Sequence, residues 1–384
     1  MSNAQELDVY IRLALLWSDV VWGWLDHLPS TGVLQQILRG NLSEEEAKAL
    51  SEIPLKPVPL DPIGLDEIAA KSSSPREKLE QILDGIVARG LLFHKDTADG
   101  RKGYALLRQS FGFNQVFLWK GDKTAHAQKM VQLQRDQEFT KATNDFFTTV
   151  DTKAFRYIPT TEAIDPQWQN VYPSETIENV IKKASKLALA HCPCRVRYEM
   201  VKGQSCGHST DVCIKLNDLA ECVIDAGLAK EITHEEALEV IKKADREGLV
   251  HFAYNTGEGM KHICNCCGHA CWNVRPIRLR QVPRDMLMAT YFLRETDEDE
   301  CIACENCVDI CPVDAVKIAD GVAKVDQDWC IGCGVCVSRC STGAIRLVEK
   351  EHKPNQSTDF FDLYTKIHSE RVAVRKAKTE AGAL

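Results

Sequence analysis

CIACENCVDICPVDAVKI, Cys301–Ile318, and CIGCGVCVSRCSTGAIRL, Cys330–Leu347, are one motif written twice at an offset of 29 residues. Each half is C-x2-C-x2-C-x3-C. Each keeps a Val after the third cysteine (Val308, Val337), an Ala beyond the fourth (Ala315, Ala344) and a strand-like ending. Four thiolates at the corners of a tetrahedron suit a cubane of iron and sulfide. Two-residue gaps let one tight loop supply three of them, and the fourth arrives from elsewhere. A zinc ribbon is the competing reading, but zinc sites rarely use this run of steps, and a tandem copy weakens it further. Gly332 and Gly334 leave backbone N–H groups free to approach bound sulfur, which tunes its potential.

This spacing resembles the bacterial two-cluster (dicluster) ferredoxin, in which the fourth cysteine of each run crosses to the other cluster. Position by position, the resemblance implies one 4Fe-4S cluster on Cys301, Cys304, Cys307 and Cys340, and a second on Cys330, Cys333, Cys336 and Cys311. It also implies that the two lie close together in one small fold. Pro312 follows Cys311 as the family pattern asks, and Ser341 replaces the second proline.

The rest of the chain is read outward from there. All seventeen cysteines lie between Cys192 and Cys340 of a 384-residue chain. Disulfide scaffolds are small and more evenly stapled, so tight clusters in a long chain point to thiolates holding metal in a reducing cytoplasm. Met1–Asp8 has neither a basic segment nor an apolar core, and no secretory signal is expected. Leu13–Leu25 is too short to span a bilayer and reads as a buried amphipathic helix. A net charge of −8 gives no general attraction to nucleic acid or anionic lipid.

Eight more cysteines form two groups along the chain: Cys192, Cys194, Cys206 and Cys213, then Cys264, Cys266, Cys267 and Cys271. One or two further iron–sulfur clusters is the favoured reading. All-cysteine zinc sites are the alternative, and redox-active or persulfide-handling thiols a third. Cys222 shares a helical face with Leu219, Val223 and Ala226 and reads as a buried thiol. HCPCR (His191–Arg195), DVCI (Asp211–Ile214), GLVHF (Gly248–Phe252) and ICNCCGHACW (Ile263–Trp272), followed by the dicluster motif, resemble a group of anaerobic 4Fe-4S-binding proteins with CxCR and CNCC motifs. Versions of the second motif are richer in cysteine. Here His269 and Ala270 stand in that stretch, so His269, and equally His208 in SCGHS, become candidate ligands. His191, His251 and His262 are expected to be structural. Arg195 and Arg197 could offset cluster charge or bind an anion.

The expected class is α+β with several domains. Residues 1–123 read as mostly helical, 124–290 as a helical cysteine-rich domain, 291–348 as the dicluster ferredoxin and 349–384 as a polar tail, a potential docking arm. Within the first, Pro75–Arg89 is a helix whose Leu79, Ile82, Leu83, Ile86 and Val87 share one face. Leu91–His94 and Tyr104–Leu107 form a hairpin. Helix, helix, hairpin resembles a winged-helix domain, although the second helix sums to zero charge, which favours a structural or docking role over DNA binding. Ala125–Thr152 is expected to be helical, Ser174 to cap a helix over Glu175–Ala190, and Thr233 and Glu236 to open His234–Glu247 with a capping box. Between Asp297 and Ile345 there are ten acidic residues against Lys317, Lys324 and Arg339. This is a solvated charge run or, more sharply, a docking face for a basic partner.

These readings converge on a cytoplasmic iron–sulfur electron-transfer protein of anaerobic metabolism, an oxidoreductase component that works with a redox partner protein. Self-association is compatible with the sequence; neither nucleic acid nor a membrane span is expected. The alternatives are a reductase whose middle cluster keeps an open iron site, and a redox-sensing winged-helix regulator. No nucleotide, flavin or nicotinamide signature is present.

Overall fold

The computed structural model describes residues 8–17, 32–54, 56–107, 112–136, 150–160, 163 and 176–381. The chain divides into two units. The first is Met1–Asp151 with Glu221–Ala229 and Tyr364–Leu384; the second is Thr152–Ala220 with Lys230–Leu363. The cysteine-rich and dicluster regions therefore share the second unit.

In the first unit, helices Val9–Trp17, Val33–Arg39 and Glu44–Ser51 precede a small β/α assembly. Ser43 and Glu46 form a capping box at the start of the third helix. Strand β1 (Ile63–Gly64) leads into helices Leu65–Lys71 and Arg76–Val87, then into hairpin strands β2 (Phe93–His94) and β3 (Gly103–Ala105), in sheet order β1-β3-β2. Leu79, Leu83 and Ile86 form the buried stripe of helix Arg76–Val87. The polar face of the same assembly is ion-paired: Arg76 with Asp66 and Glu80, Lys78 with Glu45, Arg89 with Glu46, and Lys102 with Glu80 and Asp84. Cys222 is buried here, its Sγ 3.8 Å from the Leu92 carbonyl. Of the two remaining helix expectations, Leu13–Trp17 and Ala125–Leu133 are helical. Residues 18–25 and 137–149 lie outside the described residues.

The second unit overturns the expectation of a helical middle domain. Its frame is an antiparallel six-stranded sheet of β4 (Phe155–Ile158), β5 (Leu187–Ala190), β6 (Cys213–Leu216), β7 (Lys230–Glu231), β8 (Val250–Tyr254) and β9 (His262–Cys266). The order is β4-β8-β9-β6-β5-β7 among the described residues. Helices Ile177–Lys183 and His234–Arg246 pack on it through Ile177, Val180, Ile181, Ala237 and Ile241 against Leu187, Ile214, Leu216 and Ile263. The helix expected over Glu175–Ala190 stops at Lys183, and Leu187–Ala190 is a strand paired on both edges. The cause is that a four-residue apolar run buried on both faces has no alternation to distinguish it from a helical turn. Ser174 lies outside the described residues; Thr176 is the N-cap and accepts from the Asn179 N–H. The Thr233–Glu236 capping box is formed as expected.

The dicluster segment adds two ribbons. β10 (Phe292–Thr296) pairs with β13 (Ile345–Glu349), and β11 (Val316–Ala319) pairs with β12 (Val322–Val325). The polar tail ends in helix Phe360–Glu380. No helix among the described residues is long and apolar enough to cross a membrane.

Leu83 is fully buried in helix Arg76–Val87. Leu83→Ala is expected to cost about 2–5 kcal/mol in urea unfolding of the first unit. A loss below about 1 kcal/mol would show that this stripe is not a packed core.

Candidate metal centres

The two halves of the repeat fold alike because the same three backbone positions are left-handed. Ala303, Glu305 and Asp314 have φ of 53°, 65° and 51°; Gly332, Gly334 and Gly343, each 29 positions on, have 61°, 76° and 74°. The halves differ in cover. A Cβ on Gly332 would stand 2.0 Å from the Phe292 carbonyl oxygen, and one on Gly334 2.4 Å from the Ala163 Cβ, whereas one on Gly343 would meet open space. In the first half Ala303 and Glu305 occupy the two positions crowded in the second, and Cys304 between them is exposed.

The sulfurs receive backbone donors. The Ala323 N–H lies 3.4 Å from Cys301 Sγ, and the Ala315 N–H 3.3 Å from Cys311 Sγ. Burial pushes the Cys333 thiol well up, and Cys336, Cys311 and Cys330 push further. Cys307 packs in one cluster with Cys301, Cys311, Cys336 and Cys340, so the cysteines of the two runs are brought together. Sequence reasoning missed Arg294. Its side chain is buried, and its Nη2 lies 3.5 Å from Cys307 Sγ. Burial raises Cys336 to about 12, and the guanidinium opposes that rise. Arg294 Nε and Nη1 have no hydrogen-bond partner among the described residues. Buried donors of this kind fit an anionic sulfur-bearing group between the runs. Of the acidic stretch, Asp297 accepts the Asp299 N–H in the turn entering Cys301, and Glu298 pairs with Lys324.

The eight middle cysteines do not keep their two sequence groups. Cys192 is the N-cap of helix Pro193–Lys202 and Cys194 lies in its first turn. Cys213 is on β6. Cys264 and Cys266 are on β9, and Cys267 and Cys271 follow in the next loop. The β6–β9 register sets Ile214 opposite Ile263, which brings Cys213 to Cys264. Six buried or half-buried thiols act on one another pair by pair: Cys192 with Cys194, Cys194 with Cys271, Cys271 with Cys266, Cys266 with Cys264, and Cys264 with Cys213. Cys213 and Cys266 hold the Cys264 thiol well below its ordinary range. Burial would raise Cys271, yet Cys194, Cys266 and the Val274 and Asn273 amides bring it down to about 5. Cys264 and Cys271 are thus lowered while Cys192, Cys194, Cys213 and Cys266 are raised by burial and by their neighbours, and a buried set of thiols of this kind suits exchange of protons for metal.

Cys206 and Cys267 have sulfurs 3.9 Å from each other and pack in one cluster with Cys192 and Cys194. Arg195 runs beside them. Buried, it donates to the Ser209 and Asn265 carbonyls, and its charge faces Cys192, Cys267 and Cys266. It is a counter-charge rather than an accessible anion site. Among the histidines, His251 is fully buried between Asn265 at 2.6 Å and Asp245 at 2.7 Å, and His191 meets Thr210 at 2.9 Å. His262 lies beside Cys264 with its ring 4.8 Å from that of Tyr254. His208 and His269 come together, rings 5.7 Å apart, and join Cys267. Burial lowers both imidazoles from their usual value, which leaves them neutral donors of a lone pair.

The two sets of cysteines meet within the second unit. A Cβ on Gly268, next to Cys267, would stand 2.0 Å from the carbonyl oxygen of Pro312, next to Cys311. Arg280 fastens this contact by donating to the Val313 and Asp314 carbonyls at 2.7 Å each. Tyr157 is buried close by. Its hydroxyl is raised well above the ordinary value, first by burial and then by Cys271 and Cys266 on one side and Cys333 on the other.

Residues 294–347 match the family model of the 4Fe-4S dicluster domain. The match begins on β10 and ends on β13, so it coincides with the repeat and its paired flanking strands. No curated protein and no solved structure matches the chain significantly. A dicluster domain in a chain of seventeen cysteines marks an iron–sulfur electron-transfer protein.

Arg294→Met is expected to lower the midpoint potential of the dicluster domain by at least about 60 mV, the one-electron equivalent of a tenfold shift, because a buried positive charge favours the reduced form. Potentiometric EPR titration checks this; an unchanged potential would mean that the guanidinium serves packing alone.

Proposed function

We propose that the chain transfers single electrons between a partner protein and its middle cysteine array, with the dicluster domain as the conduit. Cys301, Cys304, Cys307 and Cys340 would hold one cluster, and Cys330, Cys333, Cys336 and Cys311 the other. Further iron–sulfur would sit on Cys192, Cys194, Cys213, Cys264, Cys266 and Cys271. The supporting observation is the close approach of Gly268 to Pro312, where an added Cβ would stand 2.0 Å from the carbonyl oxygen, so a loop of the middle cysteines and a loop of the dicluster segment touch.

A bound 4Fe-4S cluster supplies one-electron chemistry at little reorganisation. The chain's own residues do the rest. Arg294 offsets negative charge, the Ala315 and Ala323 amides donate to ligand sulfur, and Tyr157 fills the space beside Cys333, Cys266 and Cys271. All seventeen cysteines are free thiols, in keeping with a reducing cytoplasm and anaerobic metabolism. For the first unit, whose β1, two helices and β2–β3 hairpin support the winged-helix reading, we infer a docking role rather than DNA binding. Arg76, Lys78, Arg89 and Lys102 are occupied by carboxylates, which leaves them poorly suited to neutralise phosphates.

Anaerobically purified full-length protein is expected to carry more than about 8 iron per chain, with matching sulfide, and the Cys266→Ser, Cys271→Ser double variant to lose about 4 of them while keeping the EPR signal of the dicluster domain. Only about 8 iron in the parent, unchanged in the variant, would remove iron–sulfur from the middle array and end the conduit reading.

A further inference from the structure

The sequence Cys-Gly-His occurs twice in the middle region, as Cys206-Gly207-His208 and Cys267-Gly268-His269. The fold brings the two copies face to face. The sulfurs of Cys206 and Cys267 are 3.9 Å apart, and the rings of His208 and His269 are 5.7 Å apart between centroids. A ring nitrogen of each histidine and the sulfur of Cys267 all lie within 4.8 Å of one another. Cys206 joins this group through Cys267, and both cysteines pack against Cys192 and Cys194.

We infer that Cys206, His208, Cys267 and His269 form a separate mononuclear site for a zinc-class divalent ion, with two sulfur and two nitrogen ligands. Two thiolates at about 2.3 Å from one tetrahedral ion stand about 3.8 Å apart, so the observed sulfur separation needs almost no adjustment. In a binuclear iron site with the same ligand types, the sulfurs sit on one metal and the nitrogens on the other. That would hold sulfur and nitrogen farther apart than the span seen around Cys267. The nitrogen-rich set also suits zinc better than a 4Fe-4S cluster, which prefers four thiolates.

The loops are built to hold this geometry. Glu247 accepts from the Ser209 N–H at 2.8 Å and from its hydroxyl, Arg195 donates to the Ser209 carbonyl, and the Ala270 N–H reaches Cys267 Sγ at 3.4 Å. Both loops are thus anchored immediately after each Cys-Gly-His. Gly207 is left-handed with φ of 86°, and Gly268 has no room for a Cβ, so the repeated glycine is what lets each cysteine and histidine turn toward the same point. His269 is exposed and His208 half-buried, so the ion enters from the solvent side and clasps the two loops over the buried thiols.

The test is metal content of the full-length protein, purified anaerobically after growth with zinc and, in parallel, with cobalt. The parent is expected to hold about one zinc per chain, and cobalt-grown protein to show the thiolate-to-cobalt charge-transfer bands of a tetrahedral site. His269→Ala, at an exposed position that packing does not need, and the His208→Ala, His269→Ala double variant are expected to reduce zinc at least about tenfold while iron and sulfide stay constant. Zinc absent from the parent, zinc retained in the double variant, or iron lost in step with zinc would each overturn the assignment. None of these outcomes alters the iron count of the Cys266→Ser, Cys271→Ser variant, so the conduit reading stands or falls separately.

Discussion

A sulfur atom taken out of water can keep a negative charge only beside a cation or a set of donors. The second unit is organised around that constraint. Its thiols are gathered from a helix start, two strands and four loops, and each gathering is matched by a buried guanidinium: Arg195 among the middle cysteines, Arg294 among those of the dicluster segment. Neither arginine has the surface position usual for its type. Both are costly to bury, and the cost is offset by the Ser209 and Asn265 carbonyls that Arg195 donates to and by the cysteine sulfurs beside each arginine. The six-stranded sheet supplies the rigid support, since β6 and β9 carry Cys213, Cys264 and Cys266 in fixed register and β10 carries Arg294.

What could be read in the sequence follows from how local each signal is. The tandem motif was fully legible, because a cluster-binding loop takes three of its four thiols from seven consecutive residues. The left-handed positions were not legible: Gly332 and Gly334 drew notice only for their open backbone N–H groups, and Ala303 and Glu305 adopt the same bend without a residue type that advertises it. The capping box at Thr233 and the helical stripe around Leu83 were legible for the same local reason.

The middle site was not. Its two cysteine groups looked like two sites because they are separated along the chain, and their interleaving depends on the β6–β9 pairing, which no local pattern encodes. The strands themselves were hidden, since Leu187–Ala190 and Val250–Tyr254 are buried on both faces. Arg294 and Tyr157 matter through neighbours far away in sequence, and only a fold could point to them. One signal of the middle site does lie in the sequence: the repeated Cys-Gly-His, two short copies that share a central glycine, Gly207 and Gly268.

The unequal cover of the two cluster loops makes the dicluster domain directional. Around the first loop, Cys304 and the neighbouring Ile302, 65% exposed, face solvent beside the acidic turn at Asp297. Around the second, Phe292 and Ala163 press so closely that only glycine fits. In the proposed conduit, a visiting protein would find the first loop open and the second covered at Gly332 and Gly334. Steric access alone would then set which loop is the terminal, independently of any difference in potential.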